Sequence, residues 1–475
     1  MKTSPLSTSL AVIGGGPGGY AAAFLAADLG LEVTLIETER NPGGVCLYRG
    51  CIPSKALLHA ASVIREAREA SAWGVAFDPP SIDLGALRAW KQSVVDSLTG
   101  GLGTLAKQRK IRHIRGRGRL TGPRSMEIEK TDGAVERLEF EHAIVATGSR
   151  PSGIPGIPAG SPRVMDSTGA LDIADIPRTL LVVGGGYIGL EIGTVYAALG
   201  SRVTVVEMTP GLLPGADPDL VTVLRKRADE VFASIDLETT VGAMREAGGG
   251  VVATLRGKDG SEREVPFEKA LISVGRRPNS DGLGLEALGV EITERGFIRI
   301  DPSCRTNVPS IFAIGDVAGE PMLAHKASHE GRIAAEVASG RRAAFEPLAI
   351  PAVVFTDPEI AWCGLTEREA RETNRKVTVA RFPWAASGRA KTLGRGDGLT
   401  KLLIDPDSER VLGVGIAGPG AGELIAEGVL AVEMGATARD IALTIHPHPT
   451  LSETMMEAAE VFFGQSTHLY RPKIS

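Results

Sequence analysis

Four cysteines in 475 residues are too few for a disulfide-stapled scaffold. In an intracellular chain, two cysteines close together point instead to redox or metal chemistry. Aromatic residues make up only 4% of the chain, and none interleaves with the seven Lys and Arg residues between 107 and 119. Without stacking partners that basic run reads as a solvated helix end and strand edge, not as a nucleic-acid patch. Charge of one sign is also missing: 52 Lys and Arg stand against 57 Asp and Glu, a net charge of −5. That leaves no electrostatic footprint for nucleic acid or anionic membrane. No apolar run approaches the ~18 residues a membrane span needs. The segment Met1 to Ser9 carries one Lys and runs straight into a short apolar stretch ending in glycines, a first strand rather than a signal peptide. The expected location is therefore the cytoplasm. Apolar residues at 43% and charged residues at 23% fit a globular chain, and at roughly 150 residues per domain the length allows about three domains.

Glycine is what the chain has in quantity, 59 residues, and one glycine pattern occurs twice. Leu10 to Ile13 lead into Gly14, Gly16 and Gly19, an Ala-rich helical run, and Val33 to Ile36 followed by Glu37. Leu180 to Val183 lead into Gly184, Gly186 and Gly189, with Tyr187 and Ile188 inside the turn, and then Val203 to Val206 and Glu207. In both copies the acid stands 18 residues after the third glycine. A helix N-terminus offers free N–H groups to a pyrophosphate, the glycines allow close approach, and the acid can accept both hydroxyls of an adenosine ribose. Either copy alone would be weak evidence; two copies in strand–turn–helix context predict two dinucleotide sites. Glu207, with no Arg after it, repels a 2′-phosphate and makes the second site one for NAD rather than NADP. The predicted class is α/β, with two Rossmann-like dinucleotide-binding domains and a C-terminal α+β domain from about Pro347. A helical stretch (about Ala56 to Lys110) and a β-rich segment (Ile111 to Ile144) separate the copies. The Pro- and Gly-rich run Ser152 to Ser161 crosses between domains.

Cys46 and Cys51 follow the first ribose acid, five residues apart, with Gly50 between them and Pro53 just after. Pro53 suits a first helical turn, which puts Cys51 at a helix N-terminus where the dipole favours thiolate. A redox disulfide is favoured over zinc, which would want CxxC-like spacing and further ligands where only His59 is near, and over two inert core thiols. Cys304 and Cys363 have no close cysteine neighbour and read as buried thiols in apolar strands. His448 and Glu453, with Pro449 after the His and a helical run from about Ser452, suit a general base oriented by a carboxylate. His446 reads as structural or supporting.

These residues carry a resemblance. The run Gly43 to Lys55 matches GGxCxxxGCxPSK, Ala146-Thr147-Gly148 matches a second flavin-contacting ATG, and Gly315-Asp316 matches a GD turn followed by Met322-Leu323-Ala324-His325. His446 to Glu453 match HxHPTxxE. On these motifs the chain resembles the flavin-dependent pyridine nucleotide-disulfide oxidoreductases over nearly its whole length, and most closely the dihydrolipoamide dehydrogenases. The resemblance implies tightly but non-covalently bound FAD in the first fold, NAD in the second, and a C-terminal domain that forms a two-fold homodimer. The implied division is 1–152 and 280–346 for FAD, 153–279 for NAD and 347–475 for dimerisation. FAD would be held by Glu37, Lys55, Gly118, Thr147 to Ser149 and Asp316, with Ala324 offering a backbone N–H to the ring. NAD would use Gly184 to Gly189, Glu207, Val241 and Gly275-Arg276, and Glu191 would pair with Lys55.

The implied activity is oxidation of protein-bound dihydrolipoamide to lipoamide with reduction of NAD⁺, and His448 and Glu453 would serve the Cys46–Cys51 disulfide of the opposite subunit. The lipoyl group would arrive on another protein, an acyltransferase or a glycine-cleavage carrier. Departures from the family are Tyr48 and Arg49, where Asn and Val are usual, and Pro447, where Ala is usual. Arg49 has two readings: a cation near the disulfide that steadies thiolate or alters the accepted carrier, or a surface side chain. Glutathione and trypanothione reductases would want basic residues where Glu207 stands. Mercuric reductases need a further cysteine pair near the C-terminus, whereas the last cysteine here is Cys363. Related disulfide reductases of another small thiol, and a non-catalytic subunit of a multienzyme complex, remain the alternatives.

Overall fold

The computed structural model describes residues 6–157 and 161–470, so part of the crossing expected at Ser152 to Ser161 lies outside the described residues. Val, Leu and Ile runs without alternation become parallel strands buried on both faces. In the first sheet Leu6–Ile13 lies between Val33–Glu37 and Val135–Val145, all parallel, with Leu10 opposite both Val33 and His142. The late strand Ile311–Ala313 returns to this sheet and pairs with Val135–Val145 in parallel. Arg112–Gly122 and Ser125–Lys130 close the sheet as a meander.

Helix α1, Pro17–Asp28, takes Pro17 at its first position, where the missing N–H costs nothing. Helix α2 is Gly44–Arg49, α3 is Cys51–Glu69 and α4 is Leu84–Gln108. The single helical stretch expected from Ala56 to Lys110 is thus two helices. Gly74, at φ +82°, ends a short 3₁₀ turn after α3, and Pro79-Pro80 hold the link extended until Asp83 caps α4.

The second sheet is also parallel, running Ser234–Asp236, Arg202–Val206, Thr179–Val183, Lys269–Ile272, Val164–Met165. It carries α5, Ser167–Leu171, α6, Tyr187–Leu199, and α7, Pro218–Val231. An antiparallel three-stranded sheet from Thr239–Ala247 to Glu262–Phe267 packs against one of its faces. Helix α8, Ala324–Ala338, follows the returning strand and crosses α1 closely: a Cβ on Gly331 would strike Gly18 O, and one on Gly18 would lie 2.9 Å from Ala327 O.

The last unit is a five-stranded antiparallel sheet between Ala352–Val354 and Thr378–Pro383. Its core holds Trp384, fully buried with Nε1 donating to Thr400 Oγ1 at 2.9 Å. Two charged knots join this unit to the rest. Asp357 meets Arg395 at 2.7 Å and Arg65 of α3 at 2.9 Å, with Arg227 of α7 at 3.5 Å. Lys401, 1% exposed, meets Asp217, Asp219 and Glu367 at 2.7, 2.7 and 2.8 Å, so its ammonium occupies the one cluster of carboxylates close enough to hold a cation among the described residues. No helix among the described residues is long and apolar enough to cross a membrane.

Candidate active site

The first glycine turn, the α2–α3 junction and the Gly315-Asp316 turn enclose a cavity of about 330 Å³. Gly14, at φ +104°, lies so near Ala146 that any Cβ would strike the Ala146 carbonyl, and a Cβ on Gly44 would come within 2.5 Å of Gly16 Cα. Only bare backbone fits, and it leaves the uncapped start of α1 facing the cavity. Glu37 Oε2 accepts from Gly15 N at 2.7 Å, and its other oxygen accepts from Thr38 N at 2.6 Å. The second fold repeats this, Glu207 accepting from Gly185 N at 2.6 Å and Thr209 N at 2.8 Å. In both copies the acid thus steadies the turn through backbone N–H groups.

Cys51 is the first residue of α3, as the spacing predicts, and Cys46 lies on α2; both line the cavity. The two sulfurs are neighbours, as a disulfide between them requires, and the Cys46 thiol is hydrogen-bonded to Cys51. That bond lowers the Cys51 thiol to about 7 against its burial, and Lys55 adds a further pull downward. The Cys46 thiol moves the other way, pushed up by the same hydrogen bond and by burial. One proton is shared, and Cys51 is the sulfur that gives it up first.

Lys55 Nζ meets Glu191 Oε2 at 2.8 Å, as expected, and sits 4.5 Å above the Phe355 ring. Glu191, on α6 and 4% exposed, also accepts from Phe355 N at 3.0 Å, so one carboxylate ties α3 to both later units. Thr147 and Asn279 exchange two hydrogen bonds, and Ser149 Oγ donates to Asp316. Tyr187, Ile188 and Arg276, expected on the NAD side, border the same cavity as the cysteines. Arg276 donates to Ser149 Oγ at 2.7 Å and Ser149 O at 2.8 Å, and burial pushes the Tyr187 phenol up to about 12.

Other expected residues stand apart. Gly19, Gly184, Gly186, Gly189, Glu207, Val241 and Gly275 lie outside the cavity lining, and the helix start after the second glycine turn carries no side-chain cap. Gly118 is buried in the first sheet, its Cα face toward Ile13 and Met126. Met322 and Ala324 line the cavity, and Leu323 precedes α8 without a side-chain cap, leaving that helix start free to donate. His325 turns away, its Nε2 2.7 Å from Pro351 O. His448 Nδ1 lies 2.9 Å from Glu453 Oε1, and Glu453 Oε2 accepts from Thr450 N at 2.8 Å, but neither residue lines the cavity and the imidazole is 74% exposed. His446 is held by Glu427 and Thr444 O, with 5% of its side chain exposed.

Arg49 pairs with Glu39 at the cavity rim rather than with a cysteine, and Tyr48 donates to Asn41 O. Cys363 is a buried strand thiol, its pKa pushed up to about 12 by burial. Cys304 is buried but not in a strand: it sits at φ +61° in a turn, its sulfur 3.7 Å from Glu330 O. Of the basic run, Arg109 pairs with Asp28 and Arg112 with Glu32. Gly15, Ser54 and Phe355 were not singled out from the sequence. Ser54 lies inside the cysteine motif and could have been, whereas Phe355 carries no local signal.

The profile of the pyridine nucleotide-disulphide oxidoreductases matches residues 8–331, and that of their dimerisation domain matches 350–459. The chain is 48% identical over 468 residues to the dihydrolipoyl dehydrogenase of Vibrio cholerae, covering 98% of both chains. It is 47% identical over 463 residues to that of Halobacterium salinarum, covering 97% of both. Its fold is similar to the crystal structure of LpdA from Mycobacterium tuberculosis, with a TM-score of 0.89 at 29% identity, over 96% of this chain and 99% of that one. Two glycine turns, a cysteine pair on a helix start and full-length likeness agree: the chain belongs to the pyridine nucleotide-disulphide oxidoreductases.

Proposed function

We propose that the chain is an NAD-dependent dihydrolipoyl dehydrogenase working as a cytoplasmic homodimer on a lipoyl group carried by another protein. The observation that carries this reading is the Cys46 and Cys51 pair opening onto the first dinucleotide cavity, with Lys55 and Glu191 beside it. FAD fits the cavity because glycines let its backbone walls approach without side chains, Gly14 against Ala146 and Gly44 against Gly16, while the acids Glu37 and Asp316 also line it. Bound there, FAD supplies the two-electron relay between the cysteine pair and NAD⁺. We assign residues 1–152 and 280–346 to the flavin unit, since both feed the first sheet. Residues 153–279 form the NAD unit and 347–475 the pairing unit.

The chain's own residues perform the thiol chemistry. His448 of one subunit, oriented by Glu453, takes a proton from one thiol of the dihydrolipoyl group, since only thiolate attacks a disulfide. That thiolate attacks Cys46 Sγ in the oxidised pair, the Cys46–Cys51 bond breaks, and Cys51 leaves as thiolate. The second substrate thiol loses its proton and attacks the sulfur bound to Cys46, releasing cyclic lipoyl disulfide and returning Cys46 as a thiolate that takes up a proton. Cys51 is the better leaving group because the Lys55 ammonium beside it favours its thiolate. Lys55 steadies the negative charge, and Glu191 fixes Lys55. Glu207 accepts the hydroxyls of the NAD ribose and refuses a 2′-phosphate.

The test is turnover of the purified protein with dihydrolipoamide, glutathione and mercuric ion, each with NAD⁺/NADH and NADP⁺/NADPH. NADH formation from dihydrolipoamide is expected, with the reduced pair's thiolate absorbance rising through about pH 7. Preference for glutathione or for NADPH would overturn the reading.

A further inference from the structure

One turn inside α8, behind the cavity wall, lies a charged pair that the chemistry above does not use. Lys326 Nζ and Glu330 Oε1 are 2.7 Å apart, with side chains 6% and 3% exposed. Two buried ions are costly to desolvate, and an apolar pair of similar size often stabilises a fold as well or better. The geometry indicates what these two do instead. Glu330 Oε2 accepts from the backbone N–H of Gly315 at 2.6 Å, and Lys326 Nζ donates to Gly319 O at 3.3 Å. The pair therefore grips both ends of the segment that begins at Gly315, φ +72°, and carries Asp316. Gly315 and Asp316 line the cavity, whereas Lys326 and Glu330 do not.

Asp316 in turn accepts from Ser149 Oγ, and Ser149 is held twice by Arg276. A hydrogen-bonded chain thus runs from Glu330 through the Gly315-Asp316 turn to the second fold. Helix α8 is a fixed post for it, seated on α1 through Gly331 against Gly18. An apolar side chain at 330 would leave the Gly315 N–H unpartnered behind the wall. A carboxylate holds it through a charge-assisted bond, roughly twice as strong as a neutral one. Its charge faces the back of a wall that receives an anionic dinucleotide, and Lys326 cancels it.

We propose that Glu330 is a positioning residue for the flavin: it fixes the Gly315-Asp316 turn in the form that binds FAD, and Lys326 keeps its charge from opposing the anionic ligand. This rests on the reading of the first cavity as the FAD site. The experiment follows FAD release from the holoenzyme diluted into flavin-free buffer, by flavin fluorescence, with melting temperature measured separately in excess FAD. Glu330→Gln keeps an acceptor for Gly315 but loses the charge, and is expected to weaken FAD binding about tenfold. Lys326→Met leaves a buried carboxylate uncompensated and is expected to weaken it about a hundredfold or more. The double variant Lys326→Met/Glu330→Gln should return to within about threefold of Glu330→Gln. If Lys326→Met does not fold, the other two variants still decide. A merely structural pair would lower the melting temperature in excess FAD while Glu330→Gln released FAD as the wild type does, and that result overturns the assignment. A wild-type chain that binds no FAD overturns both this and the cavity reading; a wild type that binds FAD beside an unaffected Glu330→Gln overturns this one alone.

Discussion

His448→Gln separates the thiol chemistry from the rest of the electron route. The imidazole stands 2.9 Å from Glu453, which is itself fixed by Thr450 N, yet it is 74% exposed and absent from the cavity wall that carries Cys46 and Cys51. A positioned general base contributes about 10²- to 10⁴-fold, or ~3–5 kcal/mol of barrier, so turnover of dihydrolipoamide with NAD⁺ should fall by that factor. Oxidation of NADH by an artificial acceptor requires no thiol deprotonation and should stay within about twofold of wild type. Both rates are read on one preparation, so a partly unfolded sample would lower them together. The two-chain arrangement adds a quantitative check. His448→Gln and Cys51→Ser homodimers should each be inactive on dihydrolipoamide. Reassorted at random, half the dimers are mixed, and each mixed dimer pairs one intact cysteine pair with one intact imidazole, so about a quarter of wild-type activity should return. Near-normal dihydrolipoamide turnover in His448→Gln refutes the base assignment. No recovery in a verified mixture refutes the site shared between chains.

Glu453→Gln preserves a hydrogen bond to His448 but not the charge, a difference of ~1–1.5 kcal/mol, so dihydrolipoamide turnover should fall about tenfold. Burial opposes the Glu453 charge, but the Thr450 N–H and His448 hold its carboxyl below the ordinary 4.5. The acid limb of the wild-type pH profile should therefore not be set by Glu453. Lys401→Met leaves Asp217, Asp219 and Glu367 facing one another and should cost about 3–5 kcal/mol by urea unfolding at pH 7. Burial opposes the Asp219 charge, but Lys401 and Arg381 hold its carboxyl below the ordinary 3.8. Its stabilising share is present above 3.8 and is lost as pH falls through the depressed value, so the deficit of Lys401→Met should shrink in acid. Glu207→Arg removes the acceptor for the NAD ribose, and steady-state kinetics should show the NADP⁺ to NAD⁺ ratio of kcat/KM rising at least tenfold.

Readability from the chain follows how local each feature is. The glycine turns, their ribose acids and the cysteine pair each lie within some thirty residues, and their geometry obeys short-range rules: a Cβ that cannot fit, a helix start, a free N–H. His448 and Glu453 are five apart and meet as expected. Contacts made by distant segments carry no such local signal. Tyr187 belongs to the second glycine turn by sequence yet borders the first cavity, and so does Arg276, which follows Gly275 and reaches across to Ser149. Arg49 finds Glu39 rather than a cysteine, and His325 finds Pro351. Cys304 lies in a turn rather than a strand because Asp301 O accepts from Cys304 N and closes that turn. A buried glutamate recurs at two places where separate stretches of chain must register. Glu191 takes Lys55 and Phe355 N, and Glu330 takes Lys326 and Gly315 N. In each, a helix carries a carboxylate that joins a lysine to a backbone N–H from another stretch of chain. A neutral side chain could satisfy the N–H or fill the space, but only the acid holds both partners at once, so the electron route rests on carboxylates that never touch an electron.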